Sequence, residues 1–166
     1  GADYLTSATL GILEQIKDKA SISILYVQPS FEMLNEKTKA HERAISGVLQ
    51  QYARSALFKK MYLVSLKEIE KYIGNFTITN YEQKLFDTIA YYYHMLNVFL
   101  NKEKILGNTG LLPETSRIAT FGFFDTENFE IKMFFPLEFP RELRYYFGIQ
   151  NKKLENDTEI FSKIKN

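Results

Sequence analysis

Arg117-Ile-Ala-Thr-Phe-Gly-Phe-Phe-Asp-Thr-Glu-Asn-Phe-Glu-Ile-Lys-Met-Phe-Phe135 is the stretch in which the hydrophobic rhythm of the chain changes. Upstream, apolar residues recur mainly at helical spacing. Here the second half alternates with period two: Phe129, Ile131, Met133 and Phe135 fall on one side, and Glu130, Lys132 and Phe134 on the other. Asp125-Thr-Glu-Asn128 ahead of that alternation is turn-prone, so the spacing predicts a hairpin over 117–135 whose inner face carries Phe129, Ile131, Met133 and Phe135. The fold class expected is α+β: a helix-rich N-terminal two thirds packed on a small antiparallel sheet containing the 117–135 hairpin.

Working back from the hairpin, the next signal is a helix from about Tyr81 to Leu106, stopped near Gly107. Leu85, Ile89, Tyr92, Leu96 and Phe99 lie along one line, widened by Phe86, Tyr93 and Leu100. Asn108 to Pro113 reads as the loop between that helix and the hairpin. Ser65-Leu-Lys-Glu68 has the spacing of a capping box, and Gly74 is placed to end the helix it starts. Ser30, after Pro29, is a cap for a long helix reaching about Tyr62. Its seam would be Phe31, Leu34, Thr38, His41, Ile45, Val48 and Tyr52. Ser21 to Val27 is short and β-branched and reads as a strand able to join the hairpin's sheet. Asp3 caps a first helix through about Lys19. Beyond the hairpin, Pro140 suits the first turn of a short helix ended by Gly148. Residues 1–150 thus form a single α+β domain, and 151–166 a polar tail in which Asp157 could cap one short helical turn.

Composition narrows the function classes. The chain has 166 residues, 45% hydrophobic and 25% charged, with 15% aromatic residues, all Phe and Tyr. That supports a well-filled core. Net charge is +1, and it is spread evenly: residues 1–80 hold 10 Lys/Arg against 8 Asp/Glu, and residues 81–166 hold 11 against 12. No basic stripe of the kind that displaces counterions is present, so no nucleic-acid partner is expected. Cysteine is absent, which removes disulfides, thiol nucleophiles and thiolate metal sites. Thr88 to Leu100, the most apolar run, is 13 residues long against the ~20 that a membrane span needs. The chain starts Gly-Ala-Asp with no Met. A signal or anchor upstream of Gly1 is compatible with that start, which inclines the compartment toward the extracytoplasmic side.

Few motifs carry chemistry. There is no G-x-G-x-x-G, P-loop, nucleophile elbow or H-E-x-x-H, and no cofactor or metal site is expected. His41 falls on the seam of the long helix, as a core or interface histidine would. Asp87, Tyr91 and His94 share an outward helix face. Asp125 followed by Glu130-Ile-Lys132 resembles the acidic residue plus E-x-K pattern of the PD-(D/E)xK nucleases, with a helix before and after. The resemblance implies Mg²⁺ on Asp125 and Glu130, with Lys132 assisting a water. A solvated strand face places the same charges in the same order, and Phe124 stands where that family has a proline.

Aromatic residues exceed what one buried hairpin face requires. Phe124, Phe134, Tyr145 and Tyr146 are therefore the candidate partner-binding residues. Two readings follow. The first is a non-catalytic binding or assembly domain with a protein partner or self-association, such as the soluble part of an exported or membrane-anchored bacterial protein. The second is a metal-dependent nuclease using Asp125, Glu130 and Lys132.

Overall fold

The computed structural model describes residues 4–75, 77–102, 115–156 and 158–159. The expected Asp3 cap, the Leu106–Gly107 helix end, the Asn108–Pro113 loop and the Asp157 cap lie outside them. The protein is a mixture of helix and strand with small sheets, as the change of rhythm requires. Its elements are α1 (Tyr4–Ile16), β1 (Ser23–Gln28), α2 (Glu36–Arg54), β2 (Lys60–Ser65), α3 (Leu66–Glu70), α4 (Tyr81–Asn101), β3 (Ile118–Thr120), β4 (Gly122–Asp125), β5 (Glu130–Met133) and α5 (Asn151–Asn156).

The sheet arrangement differs from the expectation. The main sheet is parallel, in the order β1-β2-β3, and the hairpin β4-β5 forms a second, two-stranded antiparallel sheet. The long second helix does not reach Tyr62. It starts after Asn35, whose side chain accepts from the Thr38 amide at 2.9 Å, and it ends at Arg54, where Ala56 turns the chain with φ +64°. Its buried line is Glu42, Ile45, Leu49 and Ala53, one position on from much of the expected seam. His41 and Val48 are consequently exposed.

β2 follows, and it is covered on both faces. Met61, Leu63 and Val64 are all buried, the near-continuous apolar run of a central parallel strand. Met61 and Leu63 join Tyr26, Ile45, Leu49 and Ala53 on the α2 side. Val64 faces Ile69, Leu85, Ile89, Phe121 and Phe134 on the α3/α4 side, with Tyr62 packed against them. The strands advance in one direction, and the helices α2 and α4 lie on opposite faces of the sheet.

Phe134 ties the hairpin to the parallel sheet. Its N–H donates to the Phe121 carbonyl at 3.0 Å, and its own carbonyl accepts from the Ser65 amide at 2.6 Å. At the crossing between sheet and hairpin, Gly122 lies against β5 so closely that a Cβ would come within 1.9 Å of the Lys132 carbonyl oxygen. Only glycine permits that approach.

The helix expected after Pro140 is absent; residues 142–150 carry no regular structure. Tyr146 stacks on Phe99 of α4 at 5.8 Å, whereas its neighbour Tyr145 meets Phe124 of the hairpin at 6.4 Å. Successive side chains that face different elements in this way suit an extended backbone rather than a helical one.

Candidate functional site

The hairpin turn decides where the candidate residues go. Asp125 and Glu130 close it, and Thr126–Phe129 form the connection. Asp125 accepts from the Glu127 amide at 3.0 Å and from the Asn128 side chain at 2.9 Å, an Asx arrangement. Phe129 adopts φ +55° and belongs to the turn. The expected inner face therefore holds only in part: Phe129 is 79% exposed and Ile131 is exposed with it, whereas Met133 is half-buried, Phe135 packs on the α2-side core and Phe134 is fully buried. Phe134, expected on the outer face, is a core residue. Its ring sits among Tyr72, Tyr92, Phe121 and Phe123 at centroid distances of 6.4, 5.0, 5.6 and 6.1 Å.

Phe124 and Tyr145 do lie at the surface, at 36% and 46% exposure. Phe124 meets Phe129 edge-on at 6.3 Å and Tyr145 at 6.4 Å, and it is the cross-strand partner of Ile131. Tyr146 is only partly exposed because of its stack on Phe99. The hairpin thus brings Phe124, Phe129, Ile131 and Tyr145 together outside and leaves Phe134 and Tyr146 out of that group. Phe129 and Ile131 were missed because the period-two pattern was extended through a residue that belongs to the turn.

Asp125, Glu130 and Lys132 also converge. Lys132 Nζ lies 3.1 Å from Asp125 Oδ2 and 3.5 Å from Glu130 Oε2, and 5.6 Å above the Tyr72 ring. The ammonium occupies the space between the two carboxylates. Hydrogen bonds from Asn128, Lys132 and the turn amides hold the Asp125 carboxyl well below the usual carboxylate range, and Asp125 above all raises the Lys132 ammonium. The trio is a charge-paired frame for the turn. Among the described residues no group of three His, Asp or Glu side chains is placed to hold a metal ion. Asp87 and His94 are both exposed, and Asp87 accepts from Gln83 at 2.7 Å.

A second constellation had no motif to announce it. Glu42, on the inward line of α2, is 1% exposed. Tyr26 of β1 donates its phenolic hydrogen to Glu42 Oε1, while Glu42 Oε2 is buried with no hydrogen-bond partner among the described residues. Burial first, and then the Glu42 carboxylate, pushes the Tyr26 phenol above its ordinary pKa; a hydrogen bond with Ser46 partly offsets that. Both side chains line a half-open cleft of about 220 Å³ bounded by Thr9 of α1, Ile24 to Val27 of β1, and Leu49. The available signal was the line 42, 45, 49, 53, in which an acid stands at a core-facing helical position.

Among the described residues, no helix is long and apolar enough to cross a membrane. No protein-family model matches the chain, and it resembles no curated protein and no solved structure at a significant level.

Proposed function

We propose that this chain is a non-catalytic binding domain that docks a protein partner through the outer face of its hairpin. The supporting observation is the cluster of Phe124, Phe129, Ile131 and Tyr145, four large apolar side chains exposed side by side. Apolar surface of this kind is costly to leave in water, and aromatic anchors dominate the energetics of interfaces.

The charges around the cluster select the partner. Residues 125–132 carry Asp125, Glu127 and Glu130 against Lys132 alone, and Lys132 is engaged by two of those acids. Two copies meeting through this face would oppose like charges, and a phosphate backbone would meet the same repulsion. The occupant that fits is a protein surface with an apolar centre and a rim of Lys and Arg.

A photo-crosslinking phenylalanine at position 129, in the cells that make the protein, tests this. The expected result is a discrete adduct that a probe at the exposed Met33 does not give. With the captured protein purified, Phe129→Ser with Ile131→Thr weakens binding at least tenfold while Tm moves by no more than about 2 °C, and added salt lowers affinity. The same adducts from both positions, or a double variant that binds like the parent, would overturn the proposal.

A further inference from the structure

The two edges of the parallel sheet are finished differently. β3 is three residues long, follows Arg117 and runs on toward the hairpin, as a protected edge does. β1 is six residues long, and Ser23-Ile-Leu-Tyr-Val-Gln28 contains no charge and no proline. Met61 and Ser65 of β2 donate their amides away from β1, to Arg117 and Phe134, so Lys60, Tyr62 and Val64 face β1. In the register Ser23↔Lys60, parallel pairing turns Ile24, Tyr26 and Gln28 toward β2 and points the N–H and C=O groups of Ser23, Leu25 and Val27 outward. The Lys59 amide on the Ile22 carbonyl has the same phase. Among the described residues these outward groups have no hydrogen-bond partner. Ile24, Leu25, Tyr26 and Val27 all border the half-open cleft beside β1. Consecutive side chains point to opposite faces, so a space bordered by all four abuts the strand's backbone and not one face alone.

An uncharged edge with unmet backbone groups is a template for another strand. The strand that fits is β1 itself. A two-fold axis at Leu25 sets two copies antiparallel, with Leu25 against Leu25 and Ser23 of one copy against Val27 of the other. Each of these is a hydrogen-bonded pair, so every outward N–H and C=O of both strands finds a mate. Ile24 of one copy then meets Tyr26 of the other on the α2 side, while Leu25 and Val27 stay on the α4 side. Both cores therefore continue across the joint. No charge within 23–28 opposes its copy. A foreign strand would require no such match between the segment and its own reversal.

We propose that two copies of this chain pair antiparallel through β1, about an axis at Leu25, and join their three-stranded sheets into one. α1 widens the interface. Thr9 borders the cleft, and Ile12 and Ile16, at i+3 and i+7 from it, are exposed along the same side of the helix. Stable interfaces bury about 1,200 Å² or more, and that apolar stripe adds to what the strand pair supplies. The hairpin is tied to the other side of β2 through Ser65, so the dimer uses none of the docking residues.

Sedimentation velocity of the whole chain over a dilution series tests this, with the mass of two chains expected at high concentration and of one after dilution. Ser23→Pro and Leu25→Pro each delete an outward amide that β2 does not use, a change that edge strands tolerate. Each should weaken dimerisation about tenfold or more and leave the far-ultraviolet spectrum of the monomer unchanged. Phe129→Ser with Ile131→Thr should leave the dimer intact. The chain has no cysteine, so single introduced thiols read the register. Leu25→Cys, about 5.5 Å between Cα atoms from its own copy, should cross-link on mild oxidation faster than Ser23→Cys, although Ser23 is the more exposed. A single chain at every concentration overturns the proposal and leaves the edge to a foreign strand. A dimer that both proline variants leave unchanged overturns it too, as does one that the hairpin variant dissociates or one that cross-links faster at position 23. Should Leu25→Pro fail to fold, Ser23→Pro and the two thiols still decide.

Discussion

On the α4 side of the parallel sheet a network of interlocked rings fills the core; on the α2 side the rings are fewer, Phe58 paired with Tyr52, and the surroundings of Tyr26 are aliphatic side chains and a single carboxyl group. Phe134 touches four other rings on the first side, and Tyr62 adds edge contacts to Tyr93 and Phe121 at 5.7 and 6.2 Å. On the second side Ile45, Leu49, Met61 and Leu63 surround Tyr26 and Glu42, and a cleft remains. Both faces are drawn from the same strands by alternation, and the difference lies in what packs on them: the hairpin segment brings Phe121, Phe123 and Phe134 to the α4 side, to meet Tyr92 and Tyr93. Interlocked rings leave no room for a ligand, whereas a carboxyl group among aliphatic chains leaves both room and an unsatisfied atom.

Four measurements would break or sharpen that contrast. The largest effect is expected from Phe134→Ala, which empties the centre of the ring cluster and should cost about 3–5 kcal/mol in denaturant unfolding. A loss under 1 kcal/mol would mean that the α4 face is not the close-packed one. Next, Tyr26→Phe removes the one hydrogen-bond donor to Glu42 among the described residues and should cost about 1–3 kcal/mol. Adding Glu42→Met to it should recover the loss or exceed it, because two apolar side chains replace a poorly satisfied polar pair. If the double variant is less stable than Tyr26→Phe alone, Glu42 is better satisfied than its geometry indicates.

The third effect belongs to the hairpin, outside both faces. Asp125 has a folded-state pKa below its unfolded value of about 3.9. Its stabilisation is complete above that value, declines below it, and is lost as pH falls through the lower folded-state pKa. The Tm difference between the parent and Asp125→Asn should therefore be present at pH 6 and close toward pH 2; a constant difference would refute it. The smallest effect concerns Mg²⁺. With the Lys132 ammonium between Asp125 and Glu130, millimolar Mg²⁺ should leave Tm unchanged, and a concentration-dependent rise would revive the nuclease reading.

The features legible in the sequence were those written in local chemistry. Gly74 takes φ +66° after α3, Leu85 and Ile89 face the core, and four turn-prone residues reverse the chain before β5. What escaped depended on distant partners. Lys60 to Ser65 could not declare itself a strand, because a strand covered on both faces lacks alternation, and the turn before it sits at Ala56 with no Gly or Asn to mark it. Ser65 caps α3 by position only, and its amide serves Phe134 instead. Of the candidate sites, the hairpin residues were half legible: Phe124 and Tyr145 reach the surface, and Phe134 does not. Glu42 was hidden in the ordinary polar background of an amphipathic helix.

The hydrogen bonds that Phe134 makes to Ser65 and Phe121 also bear on how the chain is made. A nascent polypeptide that has emerged only to Asn101 already contains β1, β2, α2 and α4, yet it lacks Phe121 and Phe134 from the heart of the α4-side cluster. Such a fragment carries the tyrosine-rich flank of α4 uncovered, in the state most exposed to mispairing and chaperone capture. Synthesis past residue 134 supplies the missing rings and the closing backbone bonds in one segment. The α4-side core is therefore complete only once the segment through Phe134 is present, and a chain cut at Asn101 is expected to aggregate rather than to form a smaller folded protein.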